Sequence, residues 1–418
     1  MTGQESSGVL PRELRWFRAL TAILTGAIWA AVGITRILHL RAAWVWPLAP
    51  HGYTFFDFSD YQARFERLHQ IDFLTMPGYP FTYFAPGVPL YEAFYAFGPW
   101  GGLVAYFAVI AAALVASFVL MRRAMLRYGF QSIQIDIFLL IAICTSYPVL
   151  FAIERGNLEI VLAIGMAVGI WAYWKGHTWT AAVVWGIFGS VKLYPLIFLA
   201  LFLSRRQYRQ FLFAIITAAA TTLLSLMYIG PTISVAATGI RNGIHAFLRI
   251  YTLNIVNKAF DHSVFMILKL ATRRFNPDLN WMLSGYLTAL TSLMLVLYFI
   301  RIRKLPLANQ LLILTVSSIT LPPTSFDYTL VQLYAPWAVL VFLALRAARE
   351  GGRIPGLLPS FSLLALAFTP ANFVYFNGST YGAEVKCLVL LSLLLLALLR
   401  PFEMLLIDSG ETGLVSAE

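Results

Sequence analysis

GLVAYFAVIAAALVASFVLM, residues 102–121, carries no charged side chain and stops at Arg122-Arg123. The hydrocarbon core of a bilayer is about 30 Å thick and asks for roughly 20 apolar residues of helix, which is what this stretch supplies. Comparable stretches recur on both sides of it. The 418-residue chain is 60% hydrophobic and 12% charged, with a mean hydropathy of +0.75, whereas a soluble domain is about 25% charged. These numbers exclude a soluble globule. The sequence reads as all-α: a polytopic integral membrane protein forming one transmembrane domain over 1–418.

Working outward from 102–121, about twelve segments have the required character: 17–38, 102–121, 135–152, 158–174, 178–190, 194–203, 211–229, 281–300, 306–322, 329–345, 357–375 and 385–399. Segments 178–190 and 194–203 are short and are split at Val191-Lys192-Leu193-Tyr194-Pro195. Pro195 cannot continue a helical ladder, so half-helices or a broken helix are expected there. A Pro- and Gly-rich apolar stretch at 86–98 is too short to cross and reads as interfacial or re-entrant. Arg41 and a Trp-rich segment follow the first apolar run, with no small-residue cleavage site, so a retained first helix is expected instead of a removable signal.

The net charge of +11 does not point to nucleic acid, because no basic face interleaved with stacking aromatics appears. The basic residues instead sit in short clusters between apolar segments. With a cytoplasmic N-terminus, twelve crossings put both termini on one side, together with Arg12, Arg15, Arg18, Arg122, Arg123, Arg127, Lys175, Arg205, Arg206, Arg209, Arg301, Arg303, Lys304, Arg346, Arg349, Arg353 and Arg400. That distribution satisfies the positive-inside rule at every turn. The outer side then holds two long connections, 39–101 and 230–280, and long loops on a rigid scaffold are where function concentrates. Aromatic residues crowd the first of them, from Trp44 to Phe84, so interfacial helices lying at headgroup depth are expected. Cys144 and Cys387 both fall in apolar runs with no ligand-spaced His or Cys nearby; they read as neither a disulfide nor a metal site.

Phe56-Asp57-Phe58-Ser59-Asp60-Tyr61 places two carboxylates at i and i+3 inside the aromatic loop. If the stretch is helical they share a face, and a carboxylate in an apolar interfacial pocket suits a general base for an acceptor hydroxyl. The bland alternative is that Asp60 caps a helix and Asp57 faces solvent. Glu154-Arg155-Gly156-Asn157-Leu158-Glu159 packs polar groups into a turn between apolar segments. It reads either as a site, since ionisable groups at membrane depth are costly, or as a hairpin in which Asn157 caps the next helix. Lys192 is the one Lys, Arg, Asp or Glu between Lys175 and Arg205. It serves either as a point charge for a phosphate or snorkels to the interface. Asp327, in Pro322-Pro323-Thr324-Ser325-Phe326-Asp327-Tyr328, and His262 beside Asp261 are further candidates. Asp261-His262 resembles an acid/base pair, whereas Asp327 alone also fits a solvated turn. Asn377-Gly378-Ser379 matches a glycosylation acceptor pattern.

In order along the chain, Asp57-Phe58 with Tyr61, the run Tyr83-Phe84-Ala85-Pro86, Asn157 before an apolar helix, Lys192 with Pro195 followed by Arg205-Arg206, and Pro323 with Ser325 resemble glycosyltransferase family 87. Its members are multi-spanning enzymes of the glycosyltransferase C superfamily, related to polyprenol-phosphate-mannose-dependent α-mannosyltransferases. The resemblance covers about residues 17–345. Where family members often carry His after the Pro-x-Ser element, this chain has Asp327-Tyr328, and Glu154-Arg155 stands in place of the more usual Gly-Gln.

The resemblance implies a hexosyltransferase of a bacterial inner membrane, its site facing outward. It would move a hexose, mannose first, from a polyprenyl-phosphate sugar to a lipid, glycan or protein acceptor. Asp57 would be the general base with Asp60 beside it, Lys192 and Arg155 the cations for the leaving phosphate. Glu154, Asn157, Tyr61, Tyr83, Asp327, Tyr328 and His262 would contact substrate. One displacement with one base inverts the anomeric centre. No cofactor is required, a divalent metal is compatible, and the chain is expected to work as a monomer among membrane lipids. A nucleotide-sugar donor is disfavoured, since no Gly-rich phosphate loop follows a strand. The rival class is a transporter or flippase, which also uses broken helices and intramembrane charges but favours paired breaks in two related halves. A lipid-linked polysaccharide polymerase or ligase is a further rival, expected to rely on Arg and His in its outer loop.

Overall fold

The computed structural model describes residues 9–37, 57–58, 82–144, 146–255, 260–370, 375–376 and 379–406. Most of the first outer loop, with Asp60 and Tyr61, lies outside these residues, as do Asn377 and Gly378 of the glycosylation pattern.

Among the described residues nearly all regular structure is helical. The helices are α1 (Arg12–Ile37), α2 (Gly87–Tyr95), α3 (Gly98–Leu126), α4 (Ser132–Leu139), α5 (Tyr147–Arg155), α6 (Glu159–Trp174), α7 (Thr178–Val191), α8 (Leu199–Ser204), α9 (Tyr208–Ile229), α10 (Ile233–Phe247), α11 (Val264–Thr272), α12 (Leu279–Ile300), α13 (Leu307–Thr320), α14 (Tyr334–Arg349), α15 (Leu357–Ala367) and α16 (Gly382–Leu399). Each of the twelve apolar segments read from the sequence overlaps one or more of them. Among the described residues five stretches are long and apolar enough to cross a membrane: Trp100–Leu126, Tyr208–Ile229, Leu279–Lys304, Asp327–Arg349 and Gly382–Leu399. Ser132–Cys144 and Tyr147–Arg155 make a sixth if the pair, bent by 43°, is one span.

The bend has a visible cause. Leu140–Cys144 is a π-helical turn, which leaves carbonyls out of the regular ladder. Tyr334 covers one of them, donating to the Ala142 carbonyl at 2.7 Å while its hydroxyl also meets Ser146. The Tyr147 amide donates to the Phe368 carbonyl at 3.1 Å. The break after α7 is also as the sequence suggests. Lys192 is extended (φ −142°, ψ 145°), and Tyr194–Phe198 resumes as a 3-10 turn with Pro195 in its first residues, where a missing N–H costs nothing.

Two cores hold the helices. One gathers α1, α4, α14 and α15 around Phe17, whose ring lies 5.7–6.0 Å from those of Phe138, Trp337, Phe361 and Phe368. The other gathers Phe58, Tyr83, Tyr91, Tyr106, Tyr147 and Phe151 and forms the floor of the polar site below. Between α6, α7 and α9 the contact is made close by glycine. A Cβ on Gly165 or Gly169 would run into the rings of Phe188 or Trp185, and one on Gly186 would lie 2.6 Å from the Ala214 carbonyl oxygen. Small residues at such seams are how helices approach when lipid removes the hydrophobic drive between them. On α12, by contrast, no residue is buried and the side chains are mostly apolar. That is the pattern of a helix whose solvent is hydrocarbon.

Candidate functional site

Asp57 is positioned by its neighbour. Phe58 is 2% exposed, its ring 4.9 Å from that of Tyr95 and 5.4 Å from that of Tyr106, and its carbonyl accepts from the Tyr95 hydroxyl at 2.7 Å. With Phe58 pinned in the aromatic core, the Asp57 carboxylate is turned towards the polar turn after α5. Arg155 donates to Asp57 Oδ1 at 2.5 Å and Asn157 Nδ2 donates to Oδ2 at 2.7 Å. The turn exists because α5 ends on Gly156 in the left-handed region (φ 65°), which glycine enters without a Cβ clash.

Asn157 serves the bland and the functional reading at once. Its Oδ1 accepts from the Glu159 amide at 3.0 Å, closing the turn into α6, and also from the Tyr83 hydroxyl. Its backbone carbonyl accepts from the Tyr106 hydroxyl at 2.8 Å. Tyr83 is fully buried and is held against the broken helix by the next residue, whose amide, Phe84 N–H, donates to the Val191 carbonyl at 2.9 Å.

Beside this pair lies a second one. Glu159, fully buried, accepts from Lys192 Nζ, from the Tyr194 hydroxyl at 2.7 Å and from Gln332 Nε2 at 3.2 Å. The Lys192 ammonium lies over the Tyr83 ring, 4.7 Å from its centroid, and 5.8 Å from that of Tyr328, a favourable setting for a cation. Arg155 and Lys192 thus share one tyrosine: Tyr328, beside the Lys192 ammonium, also interacts electrostatically with Arg155. Glu154, half-buried, adds its charge beside Arg155.

A third cluster lies deeper. Asp327 accepts from Tyr147 at 2.7 Å, from Lys386 at 2.8 Å and shares a 3.0 Å hydrogen bond with His262 Nδ1. The expected pairing of His262 with Asp261 is therefore corrected: the carboxylate facing the imidazole is Asp327. Neighbours on an extended backbone point to opposite sides, and Asp261 pairs in a bridge with Phe326, so its side chain turns away from that of His262. Asp261 Oδ1 instead accepts from the amides of Ser263 and Ser325 at 3.1 and 3.0 Å. Burial pushes the Asp261 carboxyl above its ordinary range, with those amides opposing. Burial also lowers the Lys269 ammonium, against the pull of Asp261; Lys269 donates to the Thr252 and Asn254 carbonyls at 3.0 and 2.8 Å.

The structure thus brings Asp57, Arg155, Asn157, Tyr83, Lys192 and Tyr328 into one neighbourhood. It places Asp327 and His262, both fully buried, in the cluster beneath. Asp60 and Tyr61 fall outside the described residues. Sequence reading passed over Glu159, Tyr194, Gln332, Tyr106, Tyr147 and Lys386 as site members. Glu159 did carry a signal, as the second carboxylate of the polar turn, but a glutamate in a first helical turn is ordinary. Lys386, alone in the apolar run 385–399, carried the same signal as Lys192.

Among the described residues no three His, Cys, Asp or Glu side chains group so as to hold a metal ion. Chemically, a carboxylate gripped by a guanidinium and an amide, beside an ammonium held over aromatic faces, can accept a proton at one point and stabilise an anion at another. No curated protein and no solved structure matches the chain significantly. The model of glycosyltransferase family 87 matches residues 79–323, more than half of the sequence. That span includes Tyr83, Arg155, Asn157, Glu159, Lys192 and His262; Asp57, Asp327 and Lys386 lie outside it. On that match the chain belongs to glycosyltransferase family 87 and is a membrane glycosyltransferase.

Proposed function

We propose that the enzyme moves a hexose, mannose first, from a polyprenyl-phosphate sugar to a lipid, glycan or protein acceptor at the outer face of a bacterial inner membrane, with inversion. The acceptor hydroxyl oxygen attacks the anomeric carbon and its proton passes to Asp57. The bond from that carbon to the phosphate oxygen breaks, and its electron pair leaves on polyprenyl phosphate. Arg155 and Lys192 balance the charge that gathers there. A guanidinium has five N–H donors, so Arg155 can hold Asp57 and meet a phosphate oxygen together. One base and one displacement suffice for inversion, and no carboxylate nucleophile is needed. Glu154, Asn157, Tyr83 and Tyr328 contact substrate; Asp60 is assigned a catalytic role with Asp57, and Tyr61 a substrate contact. His262 and Asp327 support the site from below. Chemistry of this kind uses no resident cofactor, and a divalent metal is compatible with it without being required.

The observation that carries this reading is the convergence of Asp57, Arg155 and Asn157, which are 98 and 100 positions apart in sequence from the carboxylate they hold. Twelve crossings with both termini cytoplasmic, outer loops at 39–101 and 230–280, and action as a monomer complete the proposal. The test is transfer from polyprenyl-phosphate sugars by membranes carrying the parent or Asp57→Asn. The expected loss is about 10²–10⁴-fold, the usual worth of a general base. Transfer at the parental rate by Asp57→Asn removes the base assignment.

A further inference from the structure

Glu159 is the least expected charge in the site. It is fully buried, and a buried carboxylate is costly unless its oxygens are met. They are met by groups from three elements: Lys192 at the break after α7, Tyr194 in the 3-10 turn that follows, and Gln332 in the Asp327–Leu333 turn. Lys192 is different in kind from its partner, for its side chain keeps 14% of its surface exposed while that of Glu159 keeps none. One end of the pair is thus enclosed by the protein and the other keeps part of its surface exposed, flanked by Tyr83 and Tyr328.

We propose that Glu159 is a positioning residue that sets the Lys192 ammonium where the phosphate of the lipid donor binds. This rests on the reading of Lys192 as a phosphate-binding cation given above. Lys192 needs such help because it lies where the helix breaks, so its backbone is extended and its stem has four rotatable bonds. An ammonium with three donors can keep one on Glu159 and turn another to a phosphate oxygen. Tyr194 and Gln332 both hold Oε2, the oxygen that Lys192 does not use, so that the carboxylate does not swing.

The opposing possibility is that Glu159 merely neutralises Lys192, and the two predict opposite signs. Removing a neutralising charge strengthens phosphate binding; removing a positioning group weakens it. The experiment measures binding of polyprenyl phosphate and of polyprenol of the same length to the purified full-length protein in nanodiscs. Parent, Glu159→Gln, Lys192→Gln and the double variant are compared. The expected result is that the parent prefers the phosphate form, that either single variant loses about tenfold of that affinity, and that the double variant loses no more than one of them. In transfer assays Glu159→Gln raises the donor KM and leaves the acceptor KM unmoved. Phosphate binding by Glu159→Gln as tight as the parent's, or tighter, overturns the positioning role while leaving Lys192 as the phosphate cation. A parent with no preference for phosphate over alcohol overturns both. Should Glu159→Gln not fold, Tyr194→Phe loosens the carboxylate with every charge in place. It is expected to weaken the phosphate form several-fold and polyprenol not at all, and an unchanged preference sinks the proposal.

Discussion

Asn157 donates to Asp57 from one end of its amide and accepts from Tyr83 and the Glu159 amide at the other. Asn157→Ala removes a partner of one Asp57 oxygen and the hydrogen bond from the Tyr83 hydroxyl. The expected outcome is a fall in transfer of about 10²-fold from misplacement of the base, with a loss of about 1–3 kcal/mol in stability for the hydrogen bonds lost. The transfer rate and the melting temperature of the same purified variant check the two parts separately. This residue also shows what the sequence could and could not reveal. Polar residues stranded among apolar ones at Asp57, Arg155, Asn157 and Lys192 stood out because apolar surroundings make charge expensive. Their pairing did not, since nothing in the local pattern said that Arg155 would meet Asp57, or that His262 would turn from the adjacent Asp261 to Asp327, 65 positions away. Contacts of that separation follow from how helices pack, and not from spacing along the chain.

At the scale of elements, apolar runs bounded by Arg, Gly and Pro predicted the helices well, including the break at Lys192. They placed no break between α4 and α5, although Pro148, with no N–H to offer the Cys144 carbonyl, marks one; the π-turn at Leu140–Cys144 itself carries no Pro or Gly, and Tyr334 from α14 donates to its Ala142 carbonyl. Helices α6, α7 and α13 are apolar but shorter than the roughly 20 residues of a straight crossing. The glycines of α6 and α7 are more decisive. Gly186→Ala sets a methyl carbon against the Ala214 carbonyl and Thr217 Cβ, at 2.6 and 2.8 Å, and backbone does not yield as a side chain does. It is expected to destabilise the protein by about 1–3 kcal/mol. Gly285→Ala on α12, where a Cβ meets nothing within 4 Å, is expected to melt with the parent. Thermal unfolding in one detergent compares the two, and equal melting of both variants would mean that the α7–α9 seam has slack.

For the whole molecule, the distribution of Lys and Arg predicts orientation. Reporter tags fused at each end should both report the cytoplasm; one reporting outside breaks the topology and moves Asp57 to the wrong face. The knot around Asp327 bears on how the last helix joins the rest. Lys386 on α16, Tyr147 on α5 and His262 from the 230–280 connection all meet one carboxylate, and Lys386 and Asp327 each keep 1% of their side-chain surface exposed. The matched family segment ends at residue 323, so this tie joins Asp327 and Lys386, beyond that segment, to Tyr147 and His262 within it. Breaking a buried pair on one side leaves a charge with no counterpart, at a cost of about 3–5 kcal/mol. Lys386→Met should therefore lower the melting temperature sharply. Adding Asp327→Asn removes the stranded carboxylate and should recover part of the loss, since the amide can offer its oxygen to Tyr147 and its NH2 to His262 Nδ1 in the tautomer that accepts there. A double variant as unstable as Lys386→Met alone would place the damage in packing of the Lys386 stem over the Tyr147 ring, 3.8 Å from the ammonium, and not in the charge.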